Sequence, residues 1–275
     1  ILKVDAPDWA LHPNLQLFFS NPGEVALSCR IAFEKQPDLP RIDGIPIVNE
    51  RVYGVGGDLH RSIGCDETIP SYAIATSNWS QYTMFINPKY NDPTDAETVR
   101  LVQDGIFFHM RDAMAAALAK HDGTIIHSSS IIYQNKCVMF SAASGTGKST
   151  HTDMWQELYH LPILNGDSAA CRVINGNPIA YGIPWCGTSE QFINEHAPLA
   201  AIVFLEQAKE NSIVKLDTVE AFMRLTERCI MLRWSESLTK ESLFTIQSVV
   251  ENVDCYLLKC LPDHDAVELV KKCLD

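Results

Sequence analysis

Chemistry concentrates in one nine-residue stretch, Ala142–Ala143–Ser144–Gly145–Thr146–Gly147–Lys148–Ser149–Thr150. Its spacing is that of a Walker A phosphate loop with Ala142 in place of the first glycine. At ordinary residue frequencies this relaxed pattern arises by chance in about one chain of this length in fifty. Gly145 and Gly147 let the backbone turn successive N–H groups inward around an anion, with Ser144, Thr146 and Thr150 around them. A helix opening near Lys148 adds the positive end of its dipole. Lys148 can reach the β- and γ-phosphates of a nucleotide, and the Ser149 hydroxyl can ligate Mg²⁺. Ala142 is tolerable if that position needs no positive φ. The plainer alternative is a Gly/Ser surface turn before a helix.

A phosphate loop needs a carboxylate to complete a metal site, and Asp167, at the end of a β-type run after the loop's helix, is the candidate. Asn165–Gly166–Asp167 is equally composed of turn residues, so a simple turn is the competing explanation. His127, in Ile125–Ile126–His127–Ser128–Ser129–Ser130, lies on the strand before the loop's strand. A neutral imidazole there can orient or deprotonate an attacking hydroxyl, although an isolated strand histidine is more often structural.

The secondary structure around these residues is read from pattern. The first 92 residues read as β-rich, with runs at Val25–Phe33, Tyr72–Thr76 and Tyr82–Ile86. Gly54, Gly56 and Gly57 lack the third glycine of a dinucleotide fingerprint and read as turn residues. Thr94 and Glu97 have capping-box spacing, and Val99, Val102, Ile106, Met110, Met114 and Leu118 follow at steps of three and four, predicting a helix over 94–122. A boundary is expected near residue 92, dividing 1–92 from 93–275. Within 123–275 the expected order is strands at Thr124–Tyr133 and Lys136–Phe140, the glycine loop, and a helix at Thr150–Tyr159. A hairpin at Asn175–Gly176–Asn177 and a loop at Tyr181–Gly187 come next, then a very apolar strand at Ala200–Leu205. Helices are expected at Asp217–Leu232 and Thr239–Val253, a strand at Tyr256–Leu258, and a last helix from Asp263 as N-cap. This alternation predicts an α/β fold.

Composition narrows the function classes. Thirty-four acids against 22 bases give a net charge of −12, which argues against a nucleic-acid surface. It does not oppose a phosphate ligand, which backbone amides can bind. The longest apolar run, Leu199–Leu205, is far short of the ~20 residues of a membrane span, and no secretory signal pattern is visible. Nine scattered cysteines without a CxxC pair suggest neither a zinc ribbon nor a thioredoxin-type site, and a reducing cytoplasm is the expected setting.

His127–Ser128–Ser129, then SAASGTGKSTHTD (Ser141 to Asp153), then Asn165–Gly166–Asp167 resembles the ordered motif set of the HPr kinase/phosphoenolpyruvate carboxykinase group. The segments Tyr181–Trp185, Ala197–Glu206 and Cys260–Leu274 are similar to HPr-kinase-like bacterial proteins, so the resemblance covers about residues 120–275. It implies a mixed-sheet P-loop kinase core after a smaller β-rich region, with MgATP as cofactor. The implied reaction is transfer to a hydroxyl, usually serine, of a protein, peptide or small molecule. By position, Gly145, Thr146, Gly147 and Lys148 would hold phosphates, Ser149 and Asp167 the metal, and His127 would lie beside the γ-phosphate. HPr kinases carry two adjacent aspartates at the acidic motif, whereas this chain reads Gly166–Asp167 or Asp167–Ser168. That departure leaves open a regulatory nucleotide-binding module without efficient transfer. Arg224, Arg228 and Arg233 are the candidates for the group's transition-state arginine. The HPr-recognition signature is absent, with the Tyr181–Gly187 loop in its place. A carboxykinase acting on oxaloacetate would share the loop chemistry, but those enzymes are much longer. Nucleic acid and membrane are not expected as partners, and homo-oligomerisation is left open.

Overall fold

The structure is a computed structural model and describes residues 2–20, 23–35, 52–55, 58–63 and 71–275. Residues 1–120 with 232–239 form one compact unit, and 121–231 with 240–275 form a second. The first unit contains the strands β1 (Leu2–Asp5), β2 (Leu27–Ala32), β3 (Val52–Val55), β4 (Asp58–Ile63), β5 (Ser71–Ala75) and β6 (Gln81–Ile86). They form one sheet in the order β1-β2-β6-β5-β4-β3. The three runs expected from sequence are β2, β5 and β6, with ends shifted by one or two residues. Gly54 lies inside β3, not in a turn, while Gly56 and Gly57 fall outside the described residues.

Helix α1 (Ala96–Ala119) is capped by Asp95, whose Oδ2 accepts the Thr98 N–H at 3.0 Å. Thr94 is not the cap, because its N–H and hydroxyl both donate to Asp92. The predicted stripe is real: Val102, Ile106 and Met110 are buried, and the helix packs on β1, β2 and the Asp8–Ala10 turn. The Tyr82 hydroxyl meets His109 Nδ1 at 2.8 Å, and Gln103 donates to the Trp9 carbonyl at 2.8 Å. An amphipathic helix belongs with the surface that covers its stripe. The division of the chain therefore falls between 120 and 121, not near 92.

The second unit contains β7 (Gly123–His127), β8 (Ser129–Tyr133), β9 (Lys136–Ser141), α2 (Lys148–Tyr159), β10 (Ile163–Asn165), β11 (Ser168–Ile174) and β12 (Asn177–Gly182). After these come β13 (His196–Gln207), β14 (Ser212–Lys215), α3 (Thr218–Thr226), β15 (Cys229–Ile230), α4 (Glu236–Asn252), β16 (Asp254–Cys260) and α5 (His264–Leu274). The large mixed sheet runs β10-β8-β9-β13-β12-β11-β7-β15, with β16 also on β13 and β14 on β16. Strand β13 lies parallel to both β9 and β16. Both faces of these central strands are buried, which explains their near-continuous apolar sequence. Ile202 and Phe204 pack in one core with Leu225, Ile246 and Val249, while Ala201, Val203 and Leu205 pack in the other with Trp155 and Val267.

One irregularity organises the site. The run expected as a single strand at Thr124–Tyr133 breaks at Ser128: β7 pairs with β11, and β8 pairs with β9 and β10. The pleat nevertheless continues, since Ile126 and Ile132 face one core and Ile131 the other. Opposite this break, the chain passes from β10 to β11 through Gly166 and Asp167. The register Ile163↔Ile131 becomes Asn165↔Ser130, so Leu164 is an extra residue, a bulge that redirects the chain into the Gly166–Asp167 turn. The Ser128 N–H donates to the Asp167 carbonyl at 2.9 Å across the gap.

Further along, the helix expected at Asp217–Leu232 stops at Thr226, and Cys229–Ile230 instead extends the sheet beside β7. The otherwise unpaired edge of β7 takes these backbone groups, and the His127 N–H donates to the Arg228 carbonyl at 2.8 Å. Asp217 and Asp263 cap α3 and α5. The eight described cysteines are free, and burial pushes the thiols of Cys137, Cys171 and Cys229 up; Cys65 lies outside the described residues. Among the described residues no helix is long and apolar enough to cross a membrane.

Gly182 tests the seam between β12 and the loop after it. A Cβ there would sit 1.9 Å from the Ile193 carbonyl oxygen and 3.0 Å from that of Leu164, both backbone atoms. Gly182→Ala is expected to destabilise the protein by about 3 kcal/mol, read as a lowered urea midpoint; an unchanged midpoint would contradict this seam.

Candidate functional site

Strand β9 ends at Ser141, the glycine loop comes next, and α2 begins at Lys148. Gly145 and Gly147 have φ of +77° and +113°, the left-handed conformations a phosphate loop requires. Ala142 is not among the residues with positive φ, so its methyl introduces no strain in place of glycine. Gly147 occupies the N-cap of α2 and no side chain caps this helix, whereas Asp95, Asp217 and Asp263 cap α1, α3 and α5. The first N–H groups of α2 are thus presented to the loop's concavity with the positive dipole end behind them. Ser144, Gly145, Ser149 and Thr150 are exposed or partly so, and Thr146 and Gly147 are half-buried.

Lys148 is buried, and its Nζ touches the Ala142 carbonyl at 3.4 Å. Burial pulls its ammonium below the ordinary range, with the Asp167 charge opposing and Arg228 adding to the shift. The helix is fixed to the sheet through Thr152, whose hydroxyl lies 2.8 Å from that of Ser129.

The two strand breaks bring His127 and Asp167 together. His127 Nε2 lies 3.3 Å from Asp167 Oδ1, and the Ser168 hydroxyl donates to Asp167 Oδ2 at 3.0 Å. The His127 hydrogen bond holds the Asp167 carboxyl below its usual range; burial opposes this, and Ser168 and Lys148 reinforce it. Asp167 is therefore a carboxylate at neutral pH, facing the loop lysine. The Ser141 hydroxyl donates to the His127 carbonyl at 2.8 Å, tying the end of the loop's strand to the same point. The site residues read from sequence thus converge: Lys148 with Asp167, and Asp167 with His127.

Asn165 is the residue that sequence reasoning misses. It is fully buried, and its Oδ1 accepts the N–H groups of Asp167 and Ser168 at 2.9 and 2.8 Å. Its Nδ2 donates to the Ile183 carbonyl at 2.7 Å, binding the Tyr181–Gly187 loop to the acidic turn. The signal is present in the Asn-x-Asp spacing, an Asx turn, but turn residues of this composition point to the surface rather than to a buried clamp. Gly187 (φ +58°) lies against the carboxylate, where a Cβ would come within 2.8 Å of Asp167 Cγ. A Cβ on Gly166 would sit 2.1 Å from Ser189 Oγ and 2.6 Å from its Cβ, so a side chain at this position meets Ser189.

A cleft of ≈ 500 Å³ opens along Ser141–Thr146 and is lined on its far side by Glu206, Arg224, Glu227 and Arg228. Arg224 is held by Glu206 and Glu220, each at 2.9 Å. Arg228 is 3.6 Å from Glu227, and its charge reaches Lys148. Arg228 is accordingly the best placed of the three sequence candidates. Arg233 belongs to the 232–239 segment and does not line this cleft.

The donor set fits a magnesium nucleotide. Among the described residues no group of three or more His, Cys, Asp or Glu forms a metal cage. Mg²⁺ is commonly held by one or two protein oxygens with phosphates and water completing its shell, and Ser149 and Asp167 offer such oxygens.

No protein-family model and no curated protein matches the chain. Among solved structures it is similar to the HPr(Ser) kinase/phosphatase from Coxiella burnetii, at 8% identity over 54% of this chain and 86% of that chain, with a TM-score of 0.33. Neither the family nor the activity of this chain follows from a likeness at that level.

Two outcomes test the geometry. Gly166→Asp is expected to cost about 1–3 kcal/mol of stability, and Ser189→Gly in the same chain to recover most of it, by thermal unfolding. The lowered Lys148 pKa should rise when an anion binds beside the ammonium, so over the pH range between the two values binding takes up a proton, and affinity falls as pH climbs toward the ordinary lysine value of about 10.4. Calorimetry of sulfate, which has no proton to exchange in this range, at alkaline pH in buffers of different ionisation enthalpy checks this; no proton uptake at any pH there would mean that Lys148 does not face the anion.

Proposed function

We propose that this protein is an ATP-dependent phosphotransferase acting on a hydroxyl, a serine of a protein or peptide or the hydroxyl of a small molecule. Its core is read as the HPr kinase/phosphoenolpyruvate carboxykinase type, with no nucleic acid among its partners. The observation that carries this reading is the convergence of Lys148, Asp167 and His127 beside a glycine loop in left-handed conformation.

Bound MgATP would supply the phosphoryl group and neutralise charge between its phosphates. The loop N–H groups and Lys148 orient the phosphate chain and hold positive charge where negative charge accumulates. Placed in a partly desolvated site, Lys148 acts more strongly than it would in water. Ser149 and Asp167 are the oxygens that would hold the metal. His127 donates from Nε2 to Asp167, which leaves the Nδ1 lone pair to accept a proton from an attacking hydroxyl. Asp167 then lies 3.3 Å from the imidazolium that forms and stabilises it. Arg228, across the cleft, adds a cation on the side away from the helix.

The single carboxylate at the acidic turn favours a second reading, a regulatory module that binds nucleotide without efficient transfer. The two separate on one variant. Asp167→Asn is expected to abolish phosphate transfer and slow ATP hydrolysis while nucleotide binding persists, and Lys148→Ala to weaken MgATP binding tenfold or more, about 1.4 kcal/mol. Labelled-phosphate transfer to serine, peptides and lysate with wild type and Asp167→Asn reads the first, and calorimetry the second. Clear MgATP binding with no turnover under any acceptor would leave only the regulatory module.

A further inference from the structure

Asp167 is held from two sides, and the two holds come from different parts of the chain. On one side is Asn165, two residues earlier and fully buried. On the other is Gly187, at φ +58°, where a Cβ would lie 2.8 Å from Asp167 Cγ and 3.1 Å from Oδ1. The segment that begins at Ile183 and carries Gly187 follows the acidic turn throughout. The Gly166 N–H donates to the Gln191 carbonyl at 2.9 Å, and the Ile193 N–H to the Leu164 carbonyl at 3.2 Å. Asn165 itself forms an antiparallel bridge with Phe192.

The orientation of the Asn165 amide is fixed by its partners. Oδ1 faces two donors, the N–H groups of Asp167 and Ser168, and Nδ2 faces the Ile183 carbonyl. A flipped amide would set N–H against N–H. Ser168 is also the residue whose hydroxyl donates to Asp167 Oδ2. One side chain thus fixes both the backbone that carries the carboxylate and the backbone that carries one of its donors. An apolar residue at 165 would deprive two N–H groups and one carbonyl of these bonds.

The place of this carboxylate matters because a metal ligand works only where its oxygens meet the ion, and the outer partners of ligands set that place. Aspartate is short, so its oxygens follow any displacement of its backbone. Gly166, just before it, has no side chain with which to anchor the turn. Asn165 and the segment 183–193 supply that anchoring instead.

We propose that Asn165 is a positioning residue for Asp167: from its buried place it sets where the carboxylate stands, and through Ile183 it makes that place depend on the segment 183–193 pressing from the other side. The inference rests on the reading of Asp167 as an oxygen donor to the metal of a bound nucleotide and deepens it. Being fully buried, Asn165 meets neither nucleotide nor ion and acts through Asp167 alone. Gly187 is the matching contact on the far side, where the lack of a side chain leaves the carboxylate its room.

The test compares MgATP with ATP in EDTA by calorimetry, on wild type, Asn165→Ala, Asn165→Ser, Gly187→Ala and Asp167→Asn; thermal unfolding verifies each variant. The wild type should bind MgATP at least about tenfold more tightly than the metal-free form. Asn165→Ala should lose most of that advantage, in line with the roughly 10–100-fold cost of removing an outer partner of a metal ligand. ATP in EDTA, which reads only the loop and Lys148, should bind as before. Asn165→Ser keeps a side-chain oxygen for the turn's N–H groups and should recover part of the loss. Gly187→Ala, at an exposed position, displaces the carboxylate from the other side and should lower the advantage as well. Adding Asn165→Ala to Asp167→Asn should change nothing further, because the asparagine acts through the aspartate. An asparagine that only supports the fold would lower the melting temperature and leave the ratio untouched. An unchanged ratio in folded Asn165→Ala, or a further loss in the double variant, would overturn the positioning role and leave the phosphate site standing. Equal wild-type affinity for the two forms would overturn Asp167 as a metal ligand and the proposal with it, whereas binding of neither would overturn the reading of the loop itself. If Asn165→Ala does not fold, Asn165→Ser and Gly187→Ala decide, and an unchanged ratio in both would overturn the proposal.

Discussion

A single backbone hydrogen bond, from the Ser128 N–H to the Asp167 carbonyl, spans the place where two neighbouring chain segments change strand partners. Regular pairing would bury every side chain there against one sheet face or the other. The break leaves His127 and Asp167 at the margin of both ladders, half-buried and able to meet each other. It lies beside the end of β9, so the acid and the imidazole arrive next to the glycine loop by the geometry of the sheet alone. Everything else at the site adjusts that arrangement: Asn165 holds the acidic turn from inside, and Gly187 lets the Tyr181–Gly187 loop press against the carboxylate.

Charge is arranged around the same point. The chain carries a large negative net charge, yet the loop is positive because backbone N–H groups, a helix end and one partly desolvated lysine all point there. Lys148 would be costly to bury without the ionised Asp167 in range, and His127 offsets the effect of burial on Asp167 by holding its pKa down. Lys148 and Asp167 thus act on each other's pKa, and His127 acts on that of Asp167.

Much of this is legible in the residues. The glycine loop, the very apolar strand and the Asp263 cap have short-range causes, in backbone conformation, burial on both faces and the local chemistry of an N-terminus. The features that are not legible depend on distant partners. The capping-box spacing at Thr94 loses to Asp92, which engages that threonine first. The helical pattern after Asp217 ends early because β7 has an open edge to fill. Helix α1 reads as the start of the loop's domain because its stripe shows only that it is covered, not by what. Asn165 looks like any turn residue because burial of a turn is set by chain arriving from Ile183, eighteen positions later. His127 and Asp167 each have an ordinary explanation alone, and only the strand break makes them a pair.

The uninterrupted pleat through Ser128 has an evolutionary corollary. Because Ile126 and Ile132 face one core and Ile131 the other, the number of residues from β7 to β8 is fixed by parity: losing or gaining one would turn Ile131 and Ile132 each toward the wrong layer. The hairpin tip at Asn175–Gly176 carries no such restriction, being exposed and joining strands whose register it sets only locally. Descendants of this sequence are thus free to vary in length at the far end of β11 and β12. Between Gly123 and Tyr133 they are held to a constant count, so that segment works as a ruler from which the site's position is measured.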